Sequence, residues 1–447
     1  MVLIEPQNQH LAWATKIGDH VYISEAPRSL AGPGQRWYTT PAIEVETSAP
    51  VFIKDIWRDP QRLFQEFELF RRAHEGGALA GLMRVYAHRH VLNESKERVT
   101  TAAHQFGLDQ RREKMRLVTE DIGRPLETVQ SLRQFLSVMY DACALQRNLY
   151  RKCGILHRDI SDRNIMLAPV GEDYRFRGGY AEVKFLNQVL QADDKAGPEP
   201  TCLVIDLGNG ADLNVPRAGD QLRQRTGTPK FIARSVSSGM PLDRENRGTT
   251  GVLLPSTDGI NEYIHRMHTT EYQHEFPNAR TETGQQFAHQ LFHDAESTFW
   301  VIAWTLVRSA SQGYQGEQNQ DMRFRWFYHL MCRHYPVLDD DDTHDWLCQI
   351  SENYWTSLLH PDLQSMGSML SGMFAYVYPE WAFSPLNPEH VHEALMRLML
   401  AEIVKLNNED ISLVVGARWI PPLPEIMLGL SGSLGSISGS GSFTSAI

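Results

Sequence analysis

The chain has 447 residues, 42% hydrophobic and 22% charged, with ordinary glycine and proline content, so collagen-like and wholly disordered classes are excluded. Its net charge of −11 and the lack of a basic block argue against non-specific nucleic-acid binding and against an anionic membrane surface. Five scattered cysteines (Cys143, Cys153, Cys202, Cys332, Cys348) without CxxC spacing point to a reducing compartment, not to a disulfide framework or a zinc cluster. The opening MVLIEPQNQH lacks the basic start and apolar core of a signal peptide. The longest strongly apolar run, Phe299 to Val307, is far short of the roughly 20 residues needed to cross a bilayer. The expectation is a soluble intracellular protein, cytoplasmic or nuclear.

In chain order, the region to about residue 115 mixes β-rich runs (His20–Ser24, Trp37–Glu46, Val51–Ile56) with one helical stripe. That stripe, over Asp59–His74, carries Leu63, Phe64, Phe67, Phe70 and Ala73 at helical spacing. From Thr128 to Cys153, Val129, Leu132, Leu136, Met139 and Cys143 predict a long amphipathic helix that Gly154 ends. Beyond Asp294 a helix apolar nearly all round predicts a buried spine, followed by helices with Trp-rich loops to about Asn407. The expected fold class is α+β: a small β-rich lobe followed by a larger helical lobe. Polar stretches at Asn187–Pro200, Ser237–Gln286 and Ser309–Gln320 interrupt it, and Leu428–Ile447 is a Gly/Ser-rich tail.

Six short patterns carry the chemistry. In GILHRDISDRNIML (Gly154–Leu167), Asn164 follows Asp159 of His157-Arg158-Asp159 by five residues. A carboxylate there can orient a hydroxyl nucleophile, and an amide oxygen one turn on can hold a divalent cation on phosphates. An apolar strand in CLVIDLG (Cys202–Gly208) delivers Asp206, where it can reach metal-bound phosphates, with a glycine two residues on. TGTPKFIA (Thr226–Ala233) resembles the GTxxYxA stretch that closes a kinase activation segment, with Phe231 in the aromatic position, and the resemblance would place Thr228 in the loop that receives the substrate. Val51-Phe52-Ile53-Lys54 ends an alternating strand on a lysine, and Glu66 or Glu68 on the next helix is its carboxylate partner, Glu66 having the better phase. Gly32-Pro33-Gly34 lies 22 and 20 residues before Lys54, with Trp37 where a third glycine would stand. His293-Asp294-Ala295-Glu296-Ser297 opens the apolar helix, where a carboxylate suits the free N–H groups.

HRDxxxxN, DFG (here with Leu207 for Phe), GTxxYxA (here with Phe231 in the aromatic position) and VxIK are protein-kinase motifs, and their counterparts here stand in protein-kinase order. Their wording here, with IGRPL (Ile122–Leu126), HDAES, HPDL (His360–Leu363) and HEAL (His392–Leu395), resembles the fungal-type protein kinase family over about residues 20–407. The resemblance implies a two-lobed kinase: an N-lobe over 1–122, a C-lobe over 123–427 with insertions at about 168–201 and 237–286, and a tail over 428–447. It implies ATP and magnesium as cofactors and a protein Ser or Thr hydroxyl as acceptor. Asp159 would be the base, with Arg158 in its loop. Asn164 and Asp206 would hold the metal, and Lys54 and Glu66 would position phosphates under Gly32 and Gly34. Glu120–Ile122 would be the hinge under adenine, and Asp294 would hold the catalytic-loop backbone from below.

The chain also departs from the pattern. Ser161 stands where many kinases place a lysine, and Arg163 is a candidate to supply that charge. Arg234 and Ser235 follow Ala233 in place of the APE sequence, so the usual glutamate–arginine staple is not expected. Leu213–Arg225 holds no Ser or Thr, which makes activation by loop phosphorylation doubtful. Two other readings compete: a pseudokinase scaffold that binds nucleotide without turnover, and a small-molecule phosphotransferase on the same fold. Asp339–Asp342 lacks the glycine and spacing of a calcium loop. His289 and His293 lack the glutamate of a zinc helix.

Overall fold

The computed structural model describes residues 2–4, 12–25, 37–101, 111–191, 193, 195–216, 218–242, 253–267, 287–317, 320–332, 351–383 and 386–420. The Gly32-Pro33-Gly34 turn, Cys348, Asp339–Asp342 and the Gly/Ser-rich tail fall outside them. The structure is mixed α/β, and its residues cluster into two compact units. One comprises Met1–Gln61, Tyr86–Glu120 and Trp419–Ile447; the other comprises Arg62–Val85 and Asp121–Arg418.

The first unit is built on a curled sheet. Its strands are β1 (Val2–Ile4), β2 (Ala12–Ile17), β3 (His20–Glu25), β4 (Trp37–Glu44), β5 (Pro50–Arg58), β6 (Val85–His90) and β7 (Glu113–Thr119), in the order β1-β2-β3-β4-β5-β7-β6. Val51 and Ile53 of β5 join Ile17, Tyr22, Ala42 and Val118 in the core, while Phe52 and Lys54 alternate to the other face. Lys54 sits in register with Thr39 of β4 and Leu117 of β7. The buried Asp55 is met across the ladder by Arg116 (2.5 and 3.0 Å) and Lys114 (3.1 Å).

In the second unit, α1 (Glu66–His74) starts later than the stripe from Asp59 predicts. Asp59 precedes Pro60, which disfavours the helical region, and its Oδ1 accepts the Gln61 N–H at 2.9 Å in a turn. After β8 (Arg124–Pro125), a 3-10 turn at Leu126–Thr128 precedes α2 (Leu132–Cys153), shifting its start from the predicted Thr128. Ser131 caps α2 by accepting the Gln134 N–H, and Gly154 ends it at φ 64°. Beyond lie β9 (Ile155–Leu156), β10 (Ile165–Leu167), α3 (Glu172–Arg175), α4 (Leu186–Leu190), β11 (Cys202–Val204), β12 (Ala211–Asp212), α5 (Ala218–Leu222), α6 (Arg234–Ser238) and α7 (Asn261–Ile264). The helical end comprises α8 (Leu291–Val307), α9 (Met322–Cys332), α10 (Glu352–Leu358), α11 (Met366–Val377) and α12 (His390–Lys405).

Every residue of α8 is buried, as its all-round apolarity predicts, and α2, α11 and α12 pack around it. The stretch 168–201 is seated on α2. Asn148 exchanges both amide bonds with the Val183 backbone at 2.8 Å, and the buried Asp141 carboxylate accepts N–H groups from Leu186 and Thr201 at 2.7 Å. Two small antiparallel pairings, β8-β10-β11 and β9-β12, remain. They hold the loops in which the polar motifs lie.

Candidate active site

The strand pair β10–β11 sets the geometry. Ile165 stands opposite Val204, so Asn164 and Asp206 emerge at the same end of the ladder. The Ile205 N–H donates to Asn164 O at 3.0 Å, and His157 Nε2 donates to Ile205 O at 2.9 Å. With Nε2 donating, His157 Nδ1 accepts the Asp159 N–H at 3.3 Å. Three successive loops are thereby joined around one histidine.

Asp294, in the first turn of α8, fixes the backbone beneath. Its two carboxylate oxygens accept the N–H groups of His157 (3.0 Å) and Arg158 (2.9 Å). Arg158 has φ 64°, a region unfavourable for a residue with a Cβ, and the charged acceptor holds it there. Burial works to raise the Asp294 pKa, yet the hydrogen bond and charge of His289 outweigh it and hold the carboxyl below its ordinary value. Arg158 runs beneath the segment that follows. Its guanidinium donates to the carbonyls of Gln221 and Gln224 at 2.9 Å, and burial lowers its pKa to about 10.

Asp159 has both oxygens engaged. Oδ1 accepts the Thr228 hydroxyl at 2.7 Å and Oδ2 accepts the Asn209 amide at 2.8 Å. Asn164 Nδ2 donates to the Asp159 carbonyl at 2.8 Å, so Oδ1 is the atom of this side chain that could take a cation. Burial raises the Asp159 pKa first, and the neighbouring Asp206 carboxylate raises it further. The Thr228 and Asn209 hydrogen bonds oppose the rise. Asp206 adopts φ 64° and caps a 3-10 turn by accepting the Gly208 N–H at 3.0 Å. Asp159 and Asp206 are close enough for each charge to be felt by the other, a repulsion that a divalent cation would relieve. Among the described residues no group of three or more His, Cys, Asp or Glu side chains forms a metal cluster.

Of the two candidate glutamates on α1, Glu66 is buried, whereas Glu68 is exposed and paired with Arg71 at 2.7 Å. Glu66 Oε2 lies near the Gly208 backbone, 3.7 Å from where a Cβ would stand. Lys54 belongs to the sheet unit, Gly32 and Gly34 lie outside the described residues, and the boundary between the units falls after Glu120, two residues before Ile122.

Sequence reasoning missed three features. The first is Asn209, the residue after Asp206-Leu207-Gly208, which the chain itself marks by position. The second is Arg62, whose guanidinium donates to Gly208 O at 2.6 Å and Asn209 Oδ1 at 2.9 Å. That bond orients the Asn209 amide, so that its NH₂ faces Asp159. The third corrects an expectation. A staple does form after Ala233, with its charges reversed: Arg234 donates from Nε and from its backbone N–H to Glu296 of α8, at 2.7 and 3.1 Å.

Residues 108–306 match the family model described as fungal protein kinase. That match supports a fungal-type protein kinase family. No curated protein matches the chain. The matched stretch contains Asp159, Asn164, Asp206, Thr228 and Asp294, and kinases of this kind use ATP and a divalent metal in general.

Proposed function

We propose that the protein is a two-lobed, ATP- and magnesium-dependent kinase that transfers a γ-phosphoryl group to Ser or Thr hydroxyls of proteins. The observation that carries this reading is Asp159: buried, hydrogen-bonded at both carboxylate oxygens by Thr228 and Asn209, and seated on a loop whose backbone a second carboxylate clamps. Asp159 accepts the proton hydrogen bond of the acceptor hydroxyl and aims its oxygen for in-line attack. Thr228, bonded to the same carboxylate, lies where an acceptor polypeptide would run. Asn164 and Asp206 would hold magnesium, which supplies charge neutralisation on the phosphates. Lys54 with Glu66 would position the α- and β-phosphates, Gly32 and Gly34 would cover them, and Glu120 to Ile122 would face adenine.

The test is transfer from labelled ATP to the protein itself and to generic protein substrates, with Asp159→Asn alongside. We expect transfer to fall by at least about 100-fold in the variant, since positioning and proton acceptance are both lost. Equal transfer by wild type and variant would overturn Asp159 as the base. Magnesium-ATP raising the melting temperature without any transfer would replace the enzyme by a nucleotide-binding scaffold.

A further inference from the structure

Beside the catalytic loop, cations gather on one aromatic ring. Lys230 Nζ lies 4.3 Å from the centroid of the Trp304 ring, and the Arg308 guanidinium carbon lies 4.6 Å from it. Trp304 is 1% exposed, and its Nε1 and Arg308 Nε are both buried without an acceptor. Arg163 and Arg308 are the cationic neighbours of Lys230, and Asp162 is the carboxylate they share. Among the described residues no salt bridge ties down Lys230, Arg163 or Arg308.

This arrangement is costly as structure. Burial lowers the Lys230 pKa, Cys332 and the Asp162 carboxylate oppose that fall, and the Arg308 and Arg163 guanidinium groups add to it. A partly desolvated ammonium that makes no salt bridge is disfavoured, and so are buried N–H groups with no acceptor. An arriving anion would offset the cost of the crowded cations. The chain as a whole carries −11, so a positive cluster here runs against the field of the molecule. Its position is also specific. Lys230 lies two residues beyond Thr228, which bonds Asp159, and Arg163 immediately precedes Asn164.

We propose that Lys230, Arg308 and Arg163 form a subsite for an anionic side chain, carboxylate or phosphate ester, on the polypeptide that offers its hydroxyl to Asp159. The kinase reading underlies this step, because it places an acceptor polypeptide along Thr228. The subsite makes the protein selective for acidic or already phosphorylated substrates.

The test separates binding from turnover. Fluorescein-labelled peptides carry alanine at the acceptor and, at each position within four residues of it, Asp, phosphoserine, Asn or Lys. Their affinities are read by anisotropy at low and high salt, and matching serine peptides are used for transfer. We expect one position where Asp or phosphoserine binds at least about fivefold tighter than Asn, with the ratio shrinking as salt screens the pair. Lys230→Met keeps an apolar stem over Trp304. Arg163→Ser alters an exposed residue. Each should bring the ratio below about twofold with the melting temperature unchanged. The ratio of Asp to phosphoserine binding tells which anion the subsite takes.

No anionic preference in wild type, or a preference that survives both substitutions, overturns the subsite. Transfer to serine peptides without that preference keeps the kinase and discards the subsite. Preference in binding without transfer keeps the subsite and discards the kinase.

Discussion

The reversed staple gives a sharp prediction. Arg234 and Glu296 are each 4% exposed, so neither charge has water to fall back on. Arg234 also donates to the carbonyls of Val377 and Tyr378, and Glu296 also accepts Trp300 Nε1 at 3.3 Å. Glu296→Gln keeps the shape and one acceptor oxygen but removes the counter-charge. Breaking a buried pair from one side costs about 3–5 kcal/mol. The lower end applies here because the two carbonyls remain, so we expect a loss of about 3 kcal/mol, roughly a hundredfold in the folded-to-unfolded ratio. Urea unfolding followed by tryptophan fluorescence reads it. The double variant Arg234→Met with Glu296→Met removes both charges and should be more stable than Glu296→Met alone, with a coupling of at least about 2 kcal/mol. A Glu296→Gln cost under about 1 kcal/mol, or a double variant no better than that single, would show that the pair is not what anchors this segment.

Two further outcomes follow from particular bonds. Asn209→Ala removes a donor that lowers the Asp159 pKa, so the folded carboxyl titrates higher. The acid limb of the kcat/KM profile for phosphoryl transfer should therefore move to higher pH, and kcat should fall about tenfold. A limb that stays in place would remove Asn209 from the site. Gly154→Ala forces a Cβ into φ 64° and within 2.5 Å of Asn214 Nδ2, so unfolding free energy should drop by about 1–2 kcal/mol, measured in urea.

What the sequence makes legible is local and periodic. Gly154 marks the end of α2 because only a left-handed residue closes that turn cheaply, and the unbroken apolarity after Asp294 reads directly as a buried helix. Asp294 beneath His157-Arg158-Asp159 was legible through the motif order, and the two N–H bonds to its carboxylate match the role that order implies. Helix starts are less legible, since Asp59-Pro60 and the 3-10 turn before Ser131 break the pattern without changing its hydrophobicity. Long-range polar pairings are not legible at all. Arg234 with Glu296, and Arg62 with Asn209, join residues 62 and 147 apart, and no spacing rule links them. Only the fold brings such partners together, so an apparent loss of the APE pairing hid an inverted one.

The clamp from Asp294 has a meaning for the nascent chain. The two N–H groups it holds belong to residues made 137 and 136 positions earlier. At about 5–20 residues per second, ribosomal synthesis leaves Arg158 without its acceptor for some seconds after it emerges. During that interval nothing charged opposes relaxation of its left-handed backbone. The loop bearing Asp159 therefore takes its final shape only once α8 has begun to form.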